Sequence, residues 1–305
     1  MAGDVDTRVR VGSLALDAPV MTASGTAGFG SELGGYFDLR AIGAVVTKSL
    51  SVMPWPGNPA PRVHPTGAGM INAVGLQGPG VERWRDDYLP QLVDTGATIV
   101  ASIWGRTVEE FAQAADELAP AAGHISAVEV NLSCPNLEGR GGIFAHDAAL
   151  SAEVIAATAG CGRPRWAKLS ANTDRIVDVA AAAVEAGAEA VTCINTLLGM
   201  AYSPDSFTPA LGAGGGGLSG PPIHPVAVRA VHDVHAALPD IPIVAVGGVT
   251  TGWDAVEMML AGAVAVQVGT ATFADPRAPF EIQSAMVEWC RAHGVDRVAD
   301  IGALA

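Results

Sequence analysis

The sequence predicts an α/β protein, a (β/α)8 barrel, on three observations. Apolar, β-branched runs recur along the whole chain, alanine-rich helical stretches separate them, and several of those stretches stop on the same glycine-centred triplet. The runs at residues 19–23, 44–48, 98–103, 127–131, 166–169, 190–194, 243–247 and 263–268 are mostly continuous in hydrophobicity. Strands buried on both faces look like that, which implies a parallel sheet covered by helices. The helical stretches fall at 82–95, 108–119, 148–159, 175–186, 225–238 and 253–260. Thr95-Gly96-Ala97, Ala186-Gly187-Ala188 and Ala261-Gly262-Ala263 each precede a strand. Glycine there can take the left-handed conformation that ends a helix and turns the chain back. Eight strands alternating with helices favour a closed barrel, although an open doubly wound sheet fits the same pattern.

Two segments exceed the minimal unit. Residues 49–77 and 198–222 are rich in Pro, Gly and Asn and read as long loops. Both follow predicted strands, so both belong at the C-terminal mouth of the barrel, where active sites of this fold sit. No linker or shift of composition divides the chain, and residues 1–305 are expected to form one domain.

Half of the 305 residues are apolar and 16% are charged, enough for a large core. The formal net charge of -14 argues against nucleic acid and against anionic membrane surfaces, both of which need a basic face. No run of about 18 apolar residues offers a membrane span. The charged first residues do not suit a signal peptide. Cys134, Cys161, Cys193 and Cys290 lie far apart, and the seven histidines form no metal spacing, so a reduced cytoplasmic protein without a metal is expected.

The segment richest in chemistry is Asn131-Leu132-Ser133-Cys134-Pro135-Asn136, at the end of the fourth strand. Asn offers both donors and acceptors, which suits a planar substrate with an imide edge. A thiol on a partly open loop can exchange a proton near neutrality if its pKa is tuned. Read alone, the same segment also suits an ordinary loop in which Asn makes turns and Cys fills space. Lys48 and Lys168 end or sit within apolar strands. Such lysines are costly unless they meet a charge, so each either snorkels, pairs with a core carboxylate, or serves a site. Gly247-Gly248 and Gly269-Thr270 follow the seventh and eighth strands, the usual phosphate-binding place of this fold. No dinucleotide fingerprint follows the first strand.

Taken together these pieces resemble a known family. TKS at 47–49, NAVGLQGPG at 72–80, NLSCPN at 131–136, INT at 194–196, GGLSGP at 216–221, GGV at 247–249 and VGTA at 268–271 stand in the order found in dihydroorotate dehydrogenases. The resemblance covers nearly the whole chain. It implies a TIM barrel that carries FMN and oxidises dihydroorotate to orotate in pyrimidine synthesis. By that resemblance Ser24, Lys48, Ser49, Asn131, Lys168, Ile194, Gly220, Gly247, Gly248, Gly269 and Thr270 hold FMN. Lys48, Asn72, Ala73, Val74, Gly75, Leu76, Asn131, Asn195 and Thr196 hold the substrate. Cys134 stands at the position of the base.

A cysteine base resembles the soluble class; members of the membrane-bound class use serine and carry an N-terminal membrane-associating helix. The stretches at 195–200 and 216–229 resemble the NAD-linked subclass. This implies a homodimeric core and a partner subunit that supplies FAD and a 2Fe–2S cluster. A fumarate-linked soluble enzyme and a dihydropyrimidine dehydrogenase-type subunit are the alternatives. The sequence departs from the family in two places: Ser102 stands where an Asn usually contacts the flavin, with Trp104 near enough to fill space, and His224 stands where Lys is common.

Overall fold

The barrel is seen in a computed structural model that describes residues 4–133 and 142–305. Its strands are β1 (Val20–Thr22), β2 (Val45–Val46), β3 (Ile99–Ile103), β4 (Ala127–Asn131), β5 (Arg165–Lys168), β6 (Ala190–Cys193), β7 (Ile243–Val246) and β8 (Ala265–Val268). They run parallel and neighbour one another in the order β1-β8-β7-β6-β5-β4-β3-β2. The ends of that order meet. The amide of Thr22 donates to the Ala44 carbonyl at 3.2 Å, that of Gly43 to the Val20 carbonyl at 2.7 Å, and Met21 bridges Ala44. Gly43 is required at this seam, since a Cβ there would lie 2.1 Å from the Ala18 carbonyl oxygen.

Every strand residue except Arg165 is buried. That is the reason the runs read as continuous rather than alternating: the barrel interior covers one face and the helices the other. The helix Val108–Leu118 shows the packing rule. Thr107 accepts from the Glu110 amide at its start, and Phe111, Ala114, Ala115 and Leu118 form the buried stripe. Phe111 meets Phe144 edge-on with ring centroids 5.4 Å apart. The three glycine triplets turn as expected, with φ of 73° at Gly96, 100° at Gly187 and 112° at Gly262.

Two local expectations need correction, and one helix stands where none was assigned. The stretch at 82–95 is not one regular α-helix: Val81–Arg83 widens into a π turn over Trp84–Tyr88 before Leu89–Val93. Pro90 lacks the N–H that a continued α ladder needs, and the wider turn accommodates it. A long helix after the last strand, Ala278–His293, carries Pro279 in its first turn and closes on left-handed Gly294. Finally, the two segments expected to be long loops contain strands. Val63–Pro65, Met70–Asn72, Gly216–Ser219 and Leu197–Gly199 form a four-stranded antiparallel sheet, with Leu197–Gly199 and Val63–Pro65 at its edges. Glycine permits the close approach. A Cβ on Gly216 would fall 2.3 Å from the Asn72 carbonyl oxygen.

This small sheet caps the C-terminal end of the barrel. At the opposite end the hairpin Val9–Val11 and Leu14–Leu16 is pinned by Glu189, just ahead of β6, which accepts from the Ser13 amide at 2.9 Å. No helix among the described residues is long and apolar enough to cross a membrane.

Candidate active site

A cavity of about 410 Å³ lies between the barrel mouth and the cap sheet. Its floor comes from strand ends: Ser24 after β1, Lys48 and Ser49 after β2, Asn131 on β4 and Lys168 on β5. Ile194, Asn195 and Thr196 follow β6, Gly247 and Gly248 follow β7, and Gly269 and Thr270 follow β8. The cap contributes Asn72, Ala73, Val74, Gly75 and Leu76 on one side and Gly220 on the other. Residues named from distant parts of the sequence therefore meet around one space.

The amides on the floor hold one another in fixed directions. Asn195 donates through Nδ2 to Asn131 Oδ1 at 3.1 Å, and Asn131 donates to Ser49 Oγ at 3.3 Å. The Ser133 amide also donates to Asn131 Oδ1, at 3.2 Å. Asn195 Oδ1 in turn accepts from the Thr196 amide at 2.8 Å. Asn172, which the sequence did not single out, lines the same cavity. It donates to the Thr196 carbonyl at 3.0 Å and accepts from the Leu198 amide at 2.8 Å, tying the β6 loop to the cap.

Ser102 is placed differently. It is fully buried on β3 and outside the cavity lining, with its hydroxyl 2.9 Å from that of Ser49. A one-carbon side chain stops at Ser49 and reaches the site only through it. Trp104 is also buried away from the cavity, packed edge-on against Trp55 at 5.8 Å, where it fastens the start of the cap to the barrel wall. Cys134 lies outside the described residues.

Two lysines face the cavity in contrasting settings. Lys168 is buried and donates to Ser24 Oγ at 3.0 Å, with Glu129 Oε1 at 3.5 Å. Glu129 was missed in the sequence, although an acid in the middle of the run Ala127–Asn131 was the available signal. Lys48 is half-buried, and among the described residues no carboxylate pairs with it. Burial, and after it the charge of Arg62, hold its ammonium below the ordinary lysine range.

On the far side the chain offers an anion cradle. Gly247, Gly248 and Gly220 have φ of 141°, 70° and 91°. The amides of Gly248, Gly269 and Thr270 donate to no acceptor among the described residues. A Cβ on Gly248 would sit 2.7 Å from the Cβ of His224 and 2.8 Å from the Gly220 carbonyl oxygen, so only bare backbone fits there. His224 supports this turn from behind, with Nδ1 3.0 Å from the Gly247 carbonyl oxygen and Nε2 2.9 Å from Glu257 Oε2. Unpaired amides at one end and an ammonium at the other fit a phosphorylated cofactor lying across the floor.

Fold and cavity together define a (β/α)8 barrel with its main cavity at the strands' C-terminal ends. The chain belongs to the dihydroorotate dehydrogenase family, whose model matches residues 7–289. Membership makes it an oxidoreductase with a flavin cofactor. A protein of Pelobacter propionicus is 46% identical over 304 residues, covering 98% of each chain. One from Trichlorobacter lovleyi is 44% identical over 298 residues, or 97% of each chain, and one from Geobacter sulfurreducens 42% over 301 residues, or 98% of each. All three are named dihydroorotate dehydrogenase B (NAD(+)), catalytic subunit.

Proposed function

We propose that this chain is the FMN-bearing catalytic subunit of an NAD-linked dihydroorotate dehydrogenase, oxidising dihydroorotate to orotate in cytoplasmic pyrimidine biosynthesis. The observation that carries the choice of substrate is Lys48. A cation without a carboxylate partner among the described residues faces the cavity beside Asn72, Asn131 and Asn195. A carboxylate on a planar imide ring satisfies that set. Uracil-type substrates of a dihydropyrimidine dehydrogenase-type enzyme have no carboxylate and leave the lysine uncompensated.

The residues then divide the work. A bound FMN would supply the acceptor for the hydride from C6 of dihydroorotate. Gly247, Gly248, Gly269, Thr270 and Gly220 would hold its phosphate, and Ser24, Ser49, Asn131, Lys168 and Ile194 its ring system, with Ser102 acting through Ser49. Lys48 binds the substrate carboxylate. Asn72, Asn131, Asn195 and Thr196 fix the imide edge, and Ala73, Val74, Gly75 and Leu76 form the wall that the cap lays over it and that excludes water. Cys134, next after Ser133, is the proposed base that removes the proton from C5. A partner subunit bearing FAD and a 2Fe–2S cluster, on a homodimeric core of this chain, would supply the route for electrons to NAD.

The test is the identity of the flavin and of the acceptor. The purified chain is expected to release FMN, not FAD, on denaturation, and to reduce NAD only after the partner subunit is added. Rapid NAD reduction by the chain alone would overturn the subclass; efficient turnover with fumarate alone would assign the fumarate-linked one.

A further inference from the structure

We propose that Glu129 is the counter-charge and positioning residue of Lys168, and that it limits how strongly Lys168 favours negative charge on a group bound in the cavity. Glu129 lies mid-strand on β4 and is fully buried. Its Oε1 is 3.5 Å from Lys168 Nζ on β5, while its Oε2 accepts from Thr192 Oγ1 on β6 at 3.2 Å and from Gln267 Nε2 on β8 at 2.7 Å. One carboxylate therefore collects donors from three other strands across the inside of the barrel, directly beneath the cavity floor.

A buried ammonium is costly unless a charge faces it, and Glu129 is the carboxylate that faces this one. The pairing is loose on the lysine side. Nζ sits closer to Ser24 Oγ, at 3.0 Å, than to Glu129, and both Ser24 and Lys168 line the cavity. Two of the three ammonium N–H groups are thus directed at Ser24 and Glu129, and the pull of Glu129 from below sets where the head group stands. Glu129 does not line the cavity itself, so it acts through Lys168.

This inference rests on the assignment of a flavin to the cavity. A flavin gains electron density on reduction, and an uncompensated lysine beside it favours that change. Glu129 offsets part of the lysine's field. Removing its charge while keeping its shape should make the bound flavin easier to reduce.

Glu129→Gln is the direct test, since the amide keeps the side chain's shape and Gln267, whose Oε1 has no partner among the described residues, can turn its own amide to match. Redox titration of the flavin-loaded chain against reference dyes should show the oxidised–reduced equilibrium shifted about tenfold towards the reduced form, a rise of about 30 mV for a two-electron couple. Glu129→Asp, which keeps the charge, should stay near the wild-type potential. A Glu129→Gln potential equal to wild type at full flavin occupancy overturns the proposal. If Glu129→Gln does not fold, the double variant Glu129→Gln, Lys168→Gln decides: a folded double variant means that Glu129 is there to balance Lys168, and an unfolded one means that it serves the fold alone and the proposal falls. Wild-type chain that holds no flavin at all contradicts the functional reading instead, so the two failures are distinct.

Discussion

In the barrel wall every strand residue but Arg165 is buried, whereas in the cap sheet only Ile71 and Ser219 are. The wall is fixed by apolar surface on both faces and by parallel neighbours on both sides. The cap is fixed by antiparallel pairing between short strands, by glycines that allow the strands to approach, and by the small cluster of Ile71, Ala73 and Leu211. A sheet with so little burial opens at lower free energy than one with so much. The difference separates two tasks. On the proposed reading, the rim of the wall supplies a preorganised floor for cofactor and chemistry, and the cap supplies a cover that carries part of the substrate contacts.

The largest expected effect belongs to the proposed base. With Cys134→Ala, FMN and orotate should still bind, because on the proposed reading amides and lysines hold both, yet flavin reduction should slow by roughly 10²–10⁴-fold for want of a proton acceptor. Stopped-flow bleaching normalised to bound FMN measures it, and near-normal bleaching removes Cys134 from the reaction. An unperturbed thiol has a pKa of about 8.5, so the wild-type rate should rise with pH through the thiol's value and then level off.

Next comes Lys48→Ala, on the rim. Loss of a charged hydrogen bond to the carboxylate contributes roughly 1.5–3 kcal/mol, so orotate should bind ten- to a hundredfold more weakly while uracil changes little. Equal losses for both ligands would show that Lys48 serves the flavin only.

The cap should respond in the opposite way, losing substrate but not cofactor. A Cβ on Gly217 would lie 2.1 Å from Thr196 Oγ1. Gly217→Ala therefore displaces Thr196 or lifts the strand, and about tenfold weaker orotate binding is expected with FMN content unchanged. A loss of FMN in step with orotate would mean that cap and floor are one structural unit after all.

The smallest effect is a proton. Burial holds free Lys48 below its ordinary value of 10.5, and a bound carboxylate works against that, so the lysine's pKa is lower in the free chain than in the complex. Orotate affinity is then full below the free-state pKa and declines as pH rises through it. Between the free and bound values, binding takes up a fraction of a proton. Calorimetric titration in buffers of different ionisation enthalpy should detect that uptake in wild type and not in Lys48→Ala.

The same contrast explains what could be read without a structure. The wall was legible because strands such as Ala190–Cys193 and Ile243–Val246 are apolar on both faces and announce themselves as unbroken runs. Rim residues were legible because each stands at the end of such a run, as Lys48, Asn131 and Gly247 do. The cap was not. Gly217 pairs with Asn72, 145 residues away, and neither Met70–Asn72 nor Gly216–Ser219 is long or apolar enough to carry a strand signal. Glu129 escaped for another reason: one acid in an apolar strand has no visible partner until Lys168, Thr192 and Gln267 are brought around it by barrel closure. Ser102 was recognised as a departure, but only the fold shows that its hydroxyl ends on Ser49.

Whether one cavity holds a flavin against a substrate it can oxidise is read from the absorption spectrum of the purified chain, kept anaerobic, before and after addition of dihydroorotate. Flavin bands should bleach on addition and return when oxygen is admitted. A chain that carries flavin but leaves its bands unchanged by dihydroorotate would contradict the proposed function.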